Sequence, residues 1–253
     1  MKHTPTTIRA RKTEPNSAPI SALTAYDYPM GRLLDEAGVD VLLVGDSLGM
    51  VVLGFPDTTH VTLDHIIHHT AAVARGAKHA LIVADLPINT YRSPEESVEN
   101  ARHLIEAGAQ AVKLEGGVNQ AEKVRALVAE GIPVMGHLGM LPQRVKEEGG
   151  YKKKGKTDNE IEHLRAGAAS LVAAGVFAIV LESVLPEVAH SLTKELSVPT
   201  IGIGCGDHTC DGTIAVVTDL LGTYPWFVPP FAQPQADLAP EITSAVQKFI
   251  KSI

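Results

Sequence analysis

The chain has 253 residues, 45% of them hydrophobic but only 4% aromatic. A core of that size must be built from Val, Ile, Leu and Ala, as suits buried parallel strands. Lys and Arg total 22 against 29 Asp and Glu, a formal charge of -7, which argues against a nucleic acid or an anionic membrane as partner, because either calls for a positive surface.

The polar opening MKHTPTTIRARKTEPNSAP (1–19) reads as a lead segment without the apolar stretch of a secretory leader. No apolar run reaches the length of a bilayer span, so a cytoplasmic location is expected. From residue 20 a unit recurs: a short apolar run rich in β-branched residues, a polar or Gly-rich turn, then an Ala- and Leu-rich amphipathic stretch. The runs are ISALTAYD (20–27), VDVLLVGDS (39–47), HALIVADLP (79–87), AVKLEGG (111–117), IPVMGHLGM (132–140), VFAIVLESV (176–184), VPTIGIGCG (198–206) and, most weakly, TYPWFVPPF (223–231). Most are apolar on both faces, the signature of parallel strands covered by helices.

Five of the stretches between them, PMGRLLDEAG, LDHIIHHTAAVARG, SPEESVENARHLIEAG, NQAEKVRALVAEG and IEHLRAGAASLVAAG, end in Gly, the usual helix stop. Ser93-Pro94-Glu95-Glu96 adds a capping Ser, a first-turn Pro and early acids. Eight such units without a linker predict one closed (β/α)8 TIM barrel spanning 1–253, with an open doubly wound sheet as the alternative. Two stretches break the rhythm, 48–62 and 141–160, and read as functional loops. From Pro225 the tail is Pro-rich, and a short helix is expected to close the chain.

Catalytic groups of such barrels sit at the C-terminal ends of the strands. Those ends carry Asp27, Asp46-Ser47, Asp85, Lys113 with Glu115, His137 and Glu182-Ser183. Several carboxylates at one mouth raise each other's pKa unless a cation sits among them. Oxygen donors select a hard ion, Mg2+ or Mn2+, with Asp46, Asp85 and Glu115 as ligands. A 2-oxo acid fits the positions such an ion leaves open. The metal would then stabilise the enolate formed when a proton leaves the carbon beside the ketone. Lys113 and Ser47 are placed to bind the substrate carboxylate, His137 to hydrogen-bond the substrate, and Glu182 to act as general base. Each has a plain alternative: a strand-end Asp often caps the next helix, His137 suits a structural hydrogen bond, and Lys113 suits an ion pair with Glu115 on the same face.

Other signals weigh less. His65, His68 and His69 share a helical face but lack the Glu of an HExxH site. The glycines of 202–206 come too late in the chain for a dinucleotide fingerprint. Cys205 and Cys210 read as two reduced thiols. KKKGK (152–156) reads as a solvated loop, or as a mobile basic flap facing a polyanionic cosubstrate.

The sequence resembles the ketopantoate hydroxymethyltransferase family. The likeness rests on TAYDYPMGRLLDEAGVDVLLVGDSLGMVVLG (24–54), VTLDHIIHHTAAVARG (61–76), ADLP (84–87), AVKLEGG (111–117), PVMGHLGMLPQ (133–143), GGYK (149–152), LE (181–182) and IGIGCG (201–206). It implies a barrel of the phosphoenolpyruvate/pyruvate type that moves a hydroxymethyl group from 5,10-methylenetetrahydrofolate to 3-methyl-2-oxobutanoate, in pantothenate synthesis. By position, Asp46 and Asp85 match the family's Mg2+ ligands and Glu115 its third metal-site acid. Ser47, Asp85 and Lys113 match substrate contacts, and Glu182 matches the proton acceptor. A homodecamer of two pentameric rings is implied too. The chain departs from the family mainly after the seventh run: Cys205 replaces Ala, the spacer DHTC is a residue longer, Thr213 replaces Gln, and Pro229-Pro230-Phe231 replaces a basic Pro-Lys-Phe. A related 2-oxo-acid lyase or mutase is the rival enzyme, but its KKCGH-type loop has no counterpart. A binding or scaffold barrel would not need so many acids at one mouth.

Overall fold

The computed structural model describes residues 2–14 and 16–253. Eight parallel strands close into one barrel in sequence order, which decides against the open sheet. They are β1 (Ile20–Thr24), β2 (Val41–Val44), β3 (Leu81–Asp85), β4 (Ala111–Glu115), β5 (Val134–Gly139), β6 (Ala178–Glu182), β7 (Thr200–Ile203) and β8 (Gly212–Ala215). The helices are α1 (Pro5–Ala10), α2 (Tyr28–Glu36), α3 (Leu48–Val51), α4 (Leu63–Gly76), α5 (Pro94–Glu106), α6 (Ala121–Ala129), α7 (Asp158–Ala174), α8 (Pro186–Glu195), α9 (Val217–Leu221) and α10 (Leu238–Ser252).

The eighth strand is a correction. Residues 223–231 form turns and irregular chain, and β8 lies eleven residues earlier, at Gly212. Pro225, Pro229 and Pro230 have no N–H to give a ladder and fix φ, so that apolar run cannot sit inside a sheet. The true strand is only GTIA, too short to show a pattern.

The strand pleat builds the core and the site from one set of positions. Inward-facing Val41, Leu43, Leu81, Val83, Ala111, Met135, Ala178, Val180, Ile201 and Ile214 pack into one apolar cluster. Continuing each strand by two residues keeps the same face: Val83 leads to Asp85, Ala111 to Lys113 and Glu115, Met135 to His137, and Val180 to Glu182. The lead segment supplies a plug from the opposite end. Pro5–Ala10 forms a turn and a half of helix capped by Thr4, and its Ile8 is fully buried in the same cluster. Arg11 pairs with Asp40 at 2.7 Å, Lys12 with Asp211 at 2.9 Å, and the His3 N–H bonds the His79 carbonyl. Those three partners each precede a strand, so α1 covers the N-terminal rim.

Contacts divide the chain into two compact units, 1–214 and 215–253. Within the second, α9 ends at Gly222 in a left-handed conformation, and the Pro-rich stretch leads to α10. Ile242, Val246, Phe249 and Ile250 of α10 lie at helical spacing on one face and are all more than half exposed. Among the described residues, no helix is long and apolar enough to cross a membrane.

Candidate active site

Lateral register brings the site together. Across β3 and β4, Asp85 stands opposite Lys113; across β4 and β5, Glu115 stands opposite His137; across β5 and β6, Gly139 stands opposite Glu182. Neighbours in register on one face are within side-chain reach. The Lys113 ammonium accordingly lies 2.8 Å from Asp85 Oδ1, and His137 Nε2 lies 3.3 Å from Glu182 Oε2. Asp46 joins from the turn after β2, where its N–H donates to Asp85 Oδ2 at 2.9 Å. In that turn a Cβ on Gly45 would lie 3.1 Å from Ser47 Oγ, so the hydroxyl would have to give by a few tenths of an ångström.

Asp46, Asp85, Lys113, Glu115 and His137 are all buried, and the Glu182 side chain is 14% exposed. Burial, then the charge of Asp85, pushes the Asp46 carboxyl up to about 7. Burial alone does the same to Glu182, against the pull of Lys113, leaving it at about 7. Glu115 rises well above the carboxylate range through burial and then Asp46. Burial pulls Lys113 down, but Asp85, Glu115 and Asp46 together outweigh it and hold the ammonium above its ordinary value. His137 is driven well below the usual imidazole range by burial and by Lys113, so it is neutral. Lys113 Nζ lies 3.3 Å from His137 Nδ1, and an ammonium only donates. Nδ1 therefore accepts, and the ring proton sits on Nε2, facing Glu182.

Two buried polar atoms of this mouth have no hydrogen-bond partner, Glu115 Oε1 and His137 Nε2, whereas Asp85 Oδ1 is met by the Lys113 ammonium. Unsatisfied buried groups are rare in folded proteins and point to a role beyond the fold. Among the described residues, no three His, Cys, Asp or Glu side chains form a ready-made metal cage.

The other candidates fall elsewhere. Asp27 caps α2 by accepting from the Met30 N–H at 2.8 Å, and is exposed. His65 completes a capping box with Thr62, and His69 Nδ1 bonds the Tyr26 carbonyl. Cys205 and Cys210 are free thiols. In the 152–156 segment the Lys154 backbone pairs with Ser183 and Leu185 just past β6 and its ammonium meets Glu148 at 2.6 Å, while Lys152, Lys153 and Lys156 are exposed.

Sequence reasoning from charged strand ends passed over three neutral residues. Tyr26, after β1, has its hydroxyl 2.9 Å from Ser47 Oγ. Gln143, in a short 3-10 turn at Pro142–Arg144, bonds Asp46 and Glu115, and Tyr91 bonds Gln143. Tyr26 and Gln143 stood inside the blocks quoted for the family likeness, which was the one signal for them.

A closed parallel barrel whose charged residues gather at the C-terminal rim of β2 to β6 defines a (β/α)8 enzyme. Its solved structural neighbours are of the phosphoenolpyruvate mutase/isocitrate lyase type. Phosphoenolpyruvate phosphomutase from Streptomyces platensis subsp. rosaceus superposes with a TM-score of 0.66 at 14% identity, over 98% of this chain and 87% of that one. A 2,3-dimethylmalate lyase of that superfamily superposes with a TM-score of 0.62 at 17% identity, over 99% and 88%. The sequence narrows the class. The family model for ketopantoate hydroxymethyltransferase matches residues 2–253. The 3-methyl-2-oxobutanoate hydroxymethyltransferase of Ignicoccus hospitalis is 53% identical over 239 residues, 94% of this chain and 90% of the relative. That of Syntrophus aciditrophicus is 49% identical over 254 residues, 100% and 92%. The chain belongs to the ketopantoate hydroxymethyltransferase family and is a transferase of hydroxymethyl groups.

Proposed function

We propose that this chain takes the methylene carbon of 5,10-methylenetetrahydrofolate and, with the oxygen of a water, adds it as a hydroxymethyl group to 3-methyl-2-oxobutanoate, giving 2-dehydropantoate for pantothenate synthesis and releasing tetrahydrofolate. The observation that carries this reading is the meeting of Asp46, Asp85, Lys113, Glu115, His137 and Glu182 in one mouth, with Glu115 Oε1 and His137 Nε2 left without hydrogen-bond partners.

The donor set fits a hard divalent cation. Asp46, Asp85 and Glu115 offer carboxylate oxygen only, and Glu115 Oε1 lacks a hydrogen-bond partner. Mg2+ is commonly held by one or two carboxylates while keeping waters, so a full protein cage is not required. When bound, it supplies Lewis-acid stabilisation of the negative charge that builds on the keto oxygen. The protein groups do the rest. Lys113 and Ser47, the latter steadied by the Tyr26 hydroxyl, hold the substrate carboxylate. His137 donates from Nε2. Glu182, poised at about 7, takes the proton from C3 and frees that carbon to attack the one-carbon unit.

A homo-oligomer, a decamer by family likeness, is part of the proposal. The exposed apolar face of α10 supports it, since a lone chain leaves four large apolar side chains in water. Two free thiols suit a reducing cytoplasm.

The test is an assay of 3-methyl-2-oxobutanoate with and without 5,10-methylenetetrahydrofolate, and with and without Mg2+. Turnover is expected only when both are present. Turnover without the folate would move the chain toward the lyases and mutases, and full turnover in chelator would remove the metal.

A further inference from the structure

Gln143 lies four residues beyond the end of β5 and is 3% exposed. Its amide makes three hydrogen bonds. Nε2 donates to Asp46 Oδ2 at 2.9 Å and to the Leu86 carbonyl at 3.1 Å, and Oε1 accepts from the Tyr91 hydroxyl at 2.5 Å. Its backbone N–H donates to Glu115 Oε2 at 3.1 Å. One residue thus joins two of the three carboxylates, the segment after β3, and a tyrosine.

Chemistry fixes which way the amide faces. The Leu86 carbonyl can only accept, so it must meet the NH2 end. The Tyr91 hydroxyl is kept protonated, since burial and then Glu115 hold it well above the phenol range, and it therefore donates to the oxygen end. Reversing the amide would set its one oxygen 3.1 Å from the Leu86 carbonyl oxygen and 2.9 Å from Asp46 Oδ2.

Two of the three carboxylates share a pattern. Glu115 spends Oε2 on the Gln143 N–H and leaves Oε1 without a hydrogen bond. Asp85 spends Oδ2 on the Asp46 N–H and pairs Oδ1 with the Lys113 ammonium at 2.8 Å. Asp46 spends Oδ2 on Gln143. Gln143 thus holds one oxygen of Glu115 and one of Asp46, which fixes the plane of each group and keeps its second oxygen available. We propose that Gln143 is a positioning residue for a divalent cation. It fastens Asp46 and Glu115 by one oxygen each so that the other oxygen of each can serve the ion, and Tyr91 fastens Gln143. This rests on the metal reading above, and groups that orient metal ligands typically alter affinity by about 10–100-fold when removed.

The experiment measures Mn2+ binding to the full metal-free chain by loss of the free-ion EPR signal, with thermal unfolding followed in parallel. Gln143→Met keeps the side-chain length and the backbone N–H but has no donor. Its dissociation constant for Mn2+ should rise by about 10–100-fold while unfolding stays cooperative, and raising Mg2+ should recover much of the lost turnover. Tyr91→Phe, which removes only the fastening hydroxyl, should weaken Mn2+ binding by about fivefold. A role confined to holding the loop would lower the melting temperature without moving Mn2+ affinity, and that result overturns the proposal. Asp85→Asn separates the two readings. If it loses Mn2+ while Gln143→Met keeps parental affinity, Gln143 has no positioning role and the metal site stands. If Asp85→Asn binds Mn2+ as the parent does, the metal reading falls and this one with it. Should Gln143→Met fail to fold, Tyr91→Phe decides on the same criterion.

Discussion

Glu182→Gln separates what the carboxylate costs the fold from what it does for the reaction. Burial holds the Glu182 carboxyl at about 7, against an ordinary value of 4.5. A raised carboxylate means the folded chain prefers the neutral form and the unfolded chain ionises first. The contribution to stability is therefore fully present below about 4.5 and is lost as the pH climbs through about 7. At about 1.4 kcal/mol per pH unit, the whole shift corresponds to about 3 kcal/mol. The side chain is 14% exposed, and water at its edge trims this to about 2 kcal/mol. Glutamine has nearly the same shape and no charge at any pH, so the variant escapes the loss. Metal-free Glu182→Gln should match the parent in urea unfolding at about pH 4 and exceed it by about 2 kcal/mol at about pH 8. The reaction should move the other way. Exchange of the C3 proton of 3-methyl-2-oxobutanoate into D2O should fall by about 10²–10⁴-fold, and the parent's exchange rate should rise with pH and level off above about 7. A variant less stable than the parent at pH 8 would show that the buried charge is compensated. Exchange at the parental rate would take Glu182 out of the base role.

Lys113→Met should be the costly change. It removes the cation paired with Asp85 at 2.8 Å, in a spot where both side chains are at most 5% exposed, and breaking a buried pair costs about 3–5 kcal/mol. Urea unfolding at pH 8 checks this, and a loss under about 1 kcal/mol would mean that the carboxylates neutralise themselves. Gly139→Ala tests the β5–β6 register: Gly139 has φ +99, and a Cβ would lie 2.2 Å from the Glu182 carbonyl. We expect a loss of about 2–4 kcal/mol in the same assay, with turnover falling because the end of β6 must shift.

The charged part of the site was readable because it obeys the same period as the core. An inward-facing strand position stays inward two residues on, so Ala111, Lys113 and Glu115 fall on one face whatever their chemistry. Register then follows from closing the barrel, and it brings together Asp85 with Lys113 and Glu115 with His137. Two things escaped the same logic. The eighth strand did, because four residues carry too little pattern and the Pro-rich 223–231 imitates a buried run until its missing N–H groups are counted. So did Asp27, which stands after β1 much as Asp46 stands after β2. Asp46 turns inward because the Gly45 turn points its N–H at Asp85, whereas Asp27 turns to the Met30 N–H and caps α2. Identity and position along the chain are alike for the two aspartates; the difference lies in what neighbouring elements offer to bond.

The neutral residues show the same limit from the other side. Tyr26, Tyr91 and Gln143 carry no charge at neutral pH, and Tyr91 and Gln143 sit in connections rather than at strand ends. A search for acids and bases at one rim passes over them. Yet a carboxylate that can swing between partners presents no fixed oxygen to a cation or a substrate, and ordering it at the moment of binding costs free energy. The acids supply the charge of this mouth, and the amide and hydroxyls behind them supply its geometry. Substitution of the acids should therefore abolish binding, while substitution of their neutral neighbours should leave a site that binds loosely and recovers as the cation concentration rises.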